Sequence, residues 1–143
     1  MTPQRVSLIT LGVADLDRAR SFYGTLGWEP VPSPPSVVFY QLDGFVLGLF
    51  GLEPMAEDQG RPGTRLQTGA LSLAQNFVDE GAVDAAFEAA IAAGATPLKT
   101  PKATFWGGYA GQYADPDGHV WEVAHNPFWK IDPGGRMTIP ISE

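Results

Sequence analysis

The hydrophobic pattern of residues 6–26 predicts a strand followed by a helix. Residues 6–13 combine apolar and β-branched side chains at strand spacing. Apolar residues then recur at helical spacing over residues 16–26. Asp15 is a suitable N-cap for this helix, and Gly27 fits the left-handed position that commonly ends one.

Three further strands are predicted before residue 51. A short strand lies at 28–31, and two β-rich runs follow at 37–42 and 45–50. Asp43-Gly44 joins these two runs and is a strong signal for a tight hairpin. The order of elements up to residue 50 is therefore βαβββ.

The same order recurs in the second half of the chain. Its predicted elements are a strand at 69–77, a helix at 83–93 closed by Gly94, a strand at 95–98, a loop at 99–104, and a hairpin of 109–114 with 119–124.

Equivalent residues of the two halves keep a slowly growing offset. Asp15 and Asp79 lie 64 positions apart, Gly27 and Gly94 lie 67 apart, and the Asp-Gly pairs at 43 and 117 lie 74 apart. This common order indicates an internal duplication. A single α+β sheet with two similar helices is the alternative.

The composition narrows the functional classes. The 143 residues are 44% hydrophobic and 17% charged, which fits one soluble globular domain. A net charge of −7 argues against nucleic-acid binding, and the absence of cysteine excludes disulfides and thiolate chemistry. Residues 1–5 lack the apolar region of a signal peptide, and no apolar run is long enough for a bilayer. We therefore expect a cytoplasmic protein without a membrane partner.

One carboxylate stands out in the last predicted strand. The turn Asp115-Pro116-Asp117-Gly118 leads into this strand, where alternation places Glu122 on one face with Val120 and Ala124, opposite Trp121 and Val123. Glutamate is depleted in strands and is rarely buried without a partner. Glu122 is therefore either a catalytic or metal-binding group, or a structural acid paired with a basic side chain.

Two parts of the chain resemble the glyoxalase/bleomycin-resistance proteins of the vicinal oxygen chelate superfamily. The opening resemblance lies in residues 8–13, Asp15-Leu16-Asp17-Arg18-Ala19 and Phe22-Tyr23-Gly24-Thr25-Leu26-Gly27. The closing resemblance lies in Asp115-Pro116-Asp117-Gly118 followed by Trp121-Glu122. Together the resemblance extends over residues 5–125.

This resemblance implies an α+β fold in which tandem βαβββ modules form a curved, cup-shaped mixed β-sheet with flanking helices. We expect one domain over residues 1–143, with modules at about 5–51 and 69–125, a linker at 52–68 and a C-terminal tail at 126–143. The resemblance also implies a homodimer.

Family enzymes hold a divalent metal with ligands, mostly His and Glu, from the first and last strands of each module. The corresponding positions here are Leu8, Gly48, Ser72 and Glu122. Only Glu122 keeps a family ligand, whereas a catalytic zinc site needs about three protein ligands. His119 and His125 each lie three residues from Glu122, and so fall on the opposite strand face. We expect a degenerate metal site and no cofactor.

The other candidates belong to the expected cup. With Glu122 as the candidate catalytic residue, ligand-binding roles are predicted for Leu8, Thr10, Phe50, Ser72, Asn76, Trp106, Tyr109 and Tyr113. An apolar cavity with few polar groups is typical of a small-molecule site. The aromatic loop around Trp106 can form a lid over a planar ligand, but it equally suits a core or a dimer contact.

Two functions are consistent with these residues. The first is binding of a small, partly apolar or aromatic molecule in the cup. The alternative is a lyase, isomerase or dioxygenase of the vicinal oxygen chelate type, which uses Glu122 as a metal ligand or as a metal-free acid/base. A structural or interaction role is a third class, because resemblance in fold does not define a reaction.

Overall fold

The computed structural model describes residues 2–140, which divide into two compact units between Thr68 and Gly69. Both units combine helices with strands, and the predicted α+β class is confirmed. Residues 141–143 of the predicted tail lie outside the described range. Within that range, none of the helices has both the length and the apolar character needed to cross a membrane.

The first unit contains three strands and two helices. In chain order these are β1 (Leu8–Val13), α1 (Leu16–Thr25), β2 (Val37–Gln41), β3 (Val46–Gly51) and α2 (Leu52–Asp58). The central strand β3 runs parallel to β1 and antiparallel to β2.

The predicted strand at 28–31 is reduced to a single bridge between Val31 and Phe39. Pro30 and Pro32 flank Val31 and have no backbone N–H to donate, so a longer ladder cannot form there. The prediction of a short strand is wrong for this reason.

The second unit contains the complete βαβββ series. Its elements are β4 (Ser72–Asn76), α3 (Glu80–Ala92), β5 (Thr96–Ala103), β6 (Tyr109–Ala114) and β7 (Val120–His125). The strand order is β4-β7-β6-β5, with β4 parallel to β7 and the other neighbours antiparallel. A short hairpin of β8 (Lys130–Ile131) and β9 (Met137–Thr138) follows in the tail.

Strand β5 occupies most of the segment predicted as a loop at 99–104. It stays paired with β6 as far as Ala103 by passing through two register shifts. Irregular pairing of this kind interrupts the strict alternation by which a strand is recognised in sequence.

The three helices begin and end as their sequences suggest. The carboxylates of Asp15 and Asp79 accept backbone N–H bonds in the first turns of α1 and α3, at 3.0 and 2.8 Å. Gly27, Gly60 and Gly94 follow the three C-caps with φ of +94°, +76° and +112°. In each case the amide beyond the glycine donates to a carbonyl five residues back, which is the Schellman arrangement.

Helix α2 lies in the first part of the segment predicted as a linker, 52–68. Leu52, Met55 and Ala56 follow helical spacing, and Pro54 stands in the first turn, where its missing N–H costs no helical hydrogen bond. The sequence analysis missed this helix, because the surrounding polar and turn-forming residues obscure a short helical stripe that ends at Gly60.

Each sheet has one face covered by a helix. Helix α1 packs on β2 and β3, and α3 packs on β5, β6 and β7. The covered faces hold most of the buried strand residues, including Leu11, Val13, Val38, Tyr40, Leu47 and Leu49 in the first unit, and Tyr113, Trp121 and Val123 in the second. The core of each unit therefore lies between its sheet and its helix, which leaves the other sheet face available for a site.

Candidate functional site

The candidate residues can be assigned to sheet faces by strand register, because residues paired across neighbouring strands lie on the same face. We call the face turned away from α1 the open face of the first unit. Its residues are Leu8, Thr10 and Gly12 of β1, Val37, Phe39 and Gln41 of β2, and Val46, Gly48 and Phe50 of β3.

The open face of the second unit is defined in the same way. Its residues are Ser72, Ala74 and Asn76 of β4, Ala110, Gln112 and Ala114 of β6, and Val120, Glu122 and Ala124 of β7. The two faces correspond position by position, and the row Thr10–Gly48–Phe39 matches the row Ala74–Glu122–Gln112. This agreement in register supports the duplication inferred from the sequence.

A cavity of about 560 Å³ lies on the open face of the first unit. Its lining residues are Leu8, Thr10, Ser36, Val37, Phe39, Phe50, Met55, Asp58 and Gln59. Helix α2 approaches this face at Gly12, where an added Cβ would lie 2.8 Å from Cδ2 of Leu52 and 3.0 Å from Sδ of Met55. The glycine thus allows α2 and the residue after it to form one side of the cavity.

A smaller, almost wholly apolar cavity of about 320 Å³ adjoins the same strands. It shares Leu8 and Phe39 with the larger cavity and adds Val31, Gln41 and Val46. The predicted ligand-binding residues Leu8, Thr10 and Phe50 are therefore brought together on a largely apolar surface.

Phe39 lies over the position that corresponds to Glu122. Gly48 occupies that position and is buried, and an added Cβ would lie 3.2 Å from Cε1 of Phe39 and 3.5 Å from Oγ1 of Thr10. The aromatic ring takes up space that a carboxylate side chain would need. In this unit the central row therefore carries no charge, and the hydroxyl of Thr10 is its one polar side-chain group.

The central row of the second unit is polar. The side-chain amide of Gln112 donates to Oε2 of Glu122 at 3.3 Å, and both residues are half-buried. Glu122 makes no ion pair within residues 2–140, so the basic partner of the structural alternative is not found there. Its remaining lone pairs can accept a hydrogen bond or a proton from a bound molecule.

Ser72 and Asn76 lie on the same open face as Glu122. They flank Ala74 in β4 and pair with Val120 and Ala124 of β7. The structure thus brings three predicted site residues of the second unit to one sheet face.

Tyr109 and Tyr113 lie on the covered face of the same sheet. Tyr113 pairs with Trp121 and is only 2% exposed, while the hydroxyl of Tyr109 donates to Oδ1 of Asp84 on α3 at 2.7 Å. Gln112 is the register partner of Glu122, and Tyr109 and Tyr113 lie an odd number of residues from it along β6. Both tyrosines are therefore on the opposite sheet face from Glu122.

The environments of these phenols raise their pKa values. Burial, and then the nearby carboxylate of Asp115, raise the pKa of Tyr113 to about 12. The hydrogen bond to Asp84 is the main cause that raises the pKa of Tyr109. Both environments therefore disfavour the ionised form of the phenol.

Trp106 lies in the loop between β5 and β6. Its ring covers Gly108, where any side chain would meet it, and the ring of Phe128 lies 2.9 Å from where a Cβ would stand at Gly107. Phe105 at the same loop is fully exposed, which excludes a core role for that residue. The lid and dimer-contact alternatives remain predictions.

The turn before Glu122 is built by Asp115. Its buried Oδ1 accepts the amides of Asp117 and His119, both at 2.9 Å, and Gly118 takes a φ of +91°. These bonds fix the entry of β7 and so the register that places Glu122 on the open face.

Residues 5–123 match the family model described as Glyoxalase/Bleomycin resistance protein/Dioxygenase superfamily. The chain belongs to this family. The resemblance inferred from the opening and closing segments is confirmed. Among curated proteins no significant match was found.

Solved structures of the family share this fold. A glyoxalase-related enzyme from Fulvimarina pelagi is 40% identical, with a TM-score of 0.90 over 97% of this chain and 100% of its own. A glyoxalase/bleomycin resistance protein from Albidiferax ferrireducens T118 is 28% identical, with a TM-score of 0.64 over 85% and 98%. A lactoylglutathione lyase from Agrobacterium tumefaciens is 23% identical, with a TM-score of 0.68 over 88% and 96%, which shows the fold alone.

The donor atoms present do not fit the metal site typical of this family. Leu8 and Gly48 carry no donor, and within residues 2–140 no three His, Asp or Glu side chains are grouped to hold a metal. Nδ1 of His125 lies 2.9 Å from the carbonyl of Phe77, and its pairing with Tyr109 places it on the covered face. Glu122 with Gln112 provides at most two adjacent ligand residues, fewer than a catalytic metal needs.

Sequence reasoning missed Phe39 and Gln112, although the hairpins contain the necessary signal. Counting outward from Asp43-Gly44 places Phe39 opposite Gly48. Counting outward from the three-residue loop 116–118, which the Asp115–His119 pair closes, places Gln112 opposite Glu122. Met55, Asp58 and Gln59 were missed together with α2. Their signal is the apolar spacing before Gly60.

Proposed function

We propose that this protein binds a small, partly apolar or aromatic molecule in the larger cavity of the first unit, and that its metal site is degenerate. The observation that carries the proposal is the position of Phe39. Gly48 stands where family enzymes carry a metal ligand, and the ring of Phe39 forms an apolar wall over it. The proposal includes a cytoplasmic location and a homodimer, which are expectations from the sequence and its family resemblance.

The cavity has the character that such a ligand requires. Its volume of about 560 Å³ falls within the usual range for small-molecule sites, roughly 300–1,000 Å³. Phe39, Phe50 and Met55 offer aromatic and polarisable surface for a flat apolar group. Thr10 and Ser36 add hydroxyl groups that can orient a polar substituent.

Nuclear magnetic resonance with a panel of bicyclic aromatic compounds tests the location of binding. We expect the largest amide shift changes at Thr10, Val37 and Met55, because they line the cavity. Changes confined to Gln112 and Glu122 would move the site to the second unit. An absence of changes with every compound would contradict the proposal.

A pair of tryptophan substitutions provides the matched control. Ser36→Trp places an indole at the cavity lining and should weaken binding at least about tenfold, since the indole competes for the same space. Ser21→Trp adds the same group at an exposed position of α1, which packs on the covered face, and should leave affinity unchanged.

A second candidate function is an enzyme that uses Glu122 as an acid/base, within the lyase, isomerase and dioxygenase activities of the family type. It is supported by the half-buried carboxylate, which has an amide and not a basic partner. The 40% identical relative is also described as a glyoxalase-related enzyme. Gln112 would then hold the carboxylate in place.

Elemental analysis of protein purified without chelator separates the two functions. If Glu122 only borders the sheet face, Glu122→Gln should alter neither metal content nor affinity for the aromatic panel. Stoichiometric metal that is lost in Glu122→Gln would contradict the degenerate site and favour the enzyme.

A further inference from the structure

We infer that the larger cavity of the first unit selects ligands that carry a positive charge next to an aromatic group, and that Asp58 is the residue that recognises this charge. The inference rests on the proposed binding function, and it adds the chemical class of the ligand.

Asp58 is the one charged side chain among the residues that line this cavity. The other lining residues are apolar or carry neutral hydroxyl and amide groups. No lysine or arginine takes part in the lining, so the cavity has a single fixed negative charge. A ligand that brings a cation restores neutrality there, whereas an anionic ligand would be repelled.

Asp58 is also the last residue of α2. The carbonyl groups of Met55, Ala56 and Glu57 in the last turn accept backbone N–H bonds, so the helix end adds little negative potential to that of the Asp58 carboxylate. The side-chain carboxylate of Asp58 has no hydrogen bond or ion pair within residues 2–140. The carboxylate of Asp58 is therefore the source of negative charge at this side of the cavity, and a cationic group of a ligand would pair with it.

The aromatic side chains in the lining suit the same ligand class. Phe39 and Phe50 can stack on a ring of the ligand, and their faces attract a nearby ammonium group. The net charge of −7 would also raise the local concentration of cations. The geometry thus favours an arylalkylamine over a neutral or acidic aromatic compound.

The neighbouring Glu57 offers a control with the same charge. It also lies in the last turn of α2, but it lines a different groove, together with Leu52, Glu53, Ala56 and residues 63–66. Glu57→Gln and Asp58→Asn change the net charge and the helix end equally. Only Asp58→Asn changes the lining of the cavity.

Calorimetric titration with tryptamine and tryptophol tests the inference, because the two indoles differ mainly in an ammonium or a hydroxyl group. We expect tryptamine to bind wild-type protein roughly three- to fivefold more tightly, as for an exposed ion pair. This preference should disappear in Asp58→Asn and shrink at high salt, and it should persist in Glu57→Gln.

The outcomes distinguish this inference from the proposed function. If tryptophol binds as tightly as tryptamine to the wild-type protein, the charge selection is wrong while binding in the cavity stands. An equal loss of preference in Glu57→Gln would assign the selection to overall charge and overturn the role of Asp58. If neither indole binds and the aromatic panel also fails, the proposed function itself falls.

Discussion

The central rows of the two open faces share one register but differ completely in chemistry. In the first unit the row is Thr10–Gly48–Phe39, and in the second it is Ala74–Glu122–Gln112. A phenyl ring lies over a glycine in one, and an amide donates to a carboxylate in the other. Because the core of each unit lies on the covered face, the open-face side chains could be exchanged without loss of the fold.

The covered faces of the two units are more alike than the open faces. They differ in the charged side chains beside their buried tyrosines. Tyr40 and Tyr113 occupy equivalent positions, and both are only 2% exposed. Burial raises the pKa of both phenols, but Arg20 partly offsets this at Tyr40, whereas Asp115 adds to it at Tyr113. Both tyrosines are buried although the charges beside them are opposite in sign. Packing therefore constrains these two positions more strongly than electrostatics does.

The largest effect is expected from Gly48→Glu, which places the carboxylate of the second unit in the first. The new side chain must displace Phe39 and bury an unpaired charge, so we expect a loss of roughly 2–4 kcal/mol in unfolding free energy. Urea denaturation measures this change.

A second substitution checks the cause of that loss. Phe39→Gln in the Gly48→Glu background recreates the amide–carboxylate pair of the second unit, and it should recover part of the stability. If the double variant is no more stable than Gly48→Glu alone, the pairing of positions 39 and 48 is not the cause of the difference between the two central rows.

The next effect concerns Tyr113 at high pH. Its pKa is raised from 10.0 to about 12 in the folded protein, so its contribution is complete below pH 10 and is lost as the pH rises through about 12. The contribution of Tyr113 to this loss should be roughly 2–3 kcal/mol, and Tyr113→Phe should keep only the part of the loss that comes from the other tyrosines. Unfolding free energies below pH 10 and near pH 12 measure it, and parallel pH profiles would contradict the prediction.

The smallest effect is expected from Tyr40→Phe. The hydroxyl of Tyr40 is buried without a hydrogen-bond partner in the described structure, so its removal should be neutral or stabilise the protein by about 1 kcal/mol. Thermal denaturation at neutral pH measures the difference. A clear loss of stability would show that the hydroxyl is hydrogen-bonded in solution.

Short-range signals predicted much of this protein correctly. Asp15 caps α1, Gly27 and Gly94 end α1 and α3, and Asp43-Gly44 and Asp117-Gly118 lie in hairpin turns. Each signal works through hydrogen bonds or backbone angles within a few residues, so neighbouring sequence is enough to recognise it. The elements that were missed, such as the helix at 52–58, have weaker local signals.

The alternation of β7 also determined the face of Glu122 from the sequence alone. Other features became known only from the tertiary structure. In the first unit these are the ring of Phe39 over Gly48 and the position of Asp58 at the cavity. In the second unit it is the amide of Gln112 beside Glu122. These contacts depend on strand register and on where α2 packs. The hairpin turns indicate which residues are paired across the strands, but the contacts between those side chains and the packing of α2 against β1 and β3 also depend on residues that are distant in the chain.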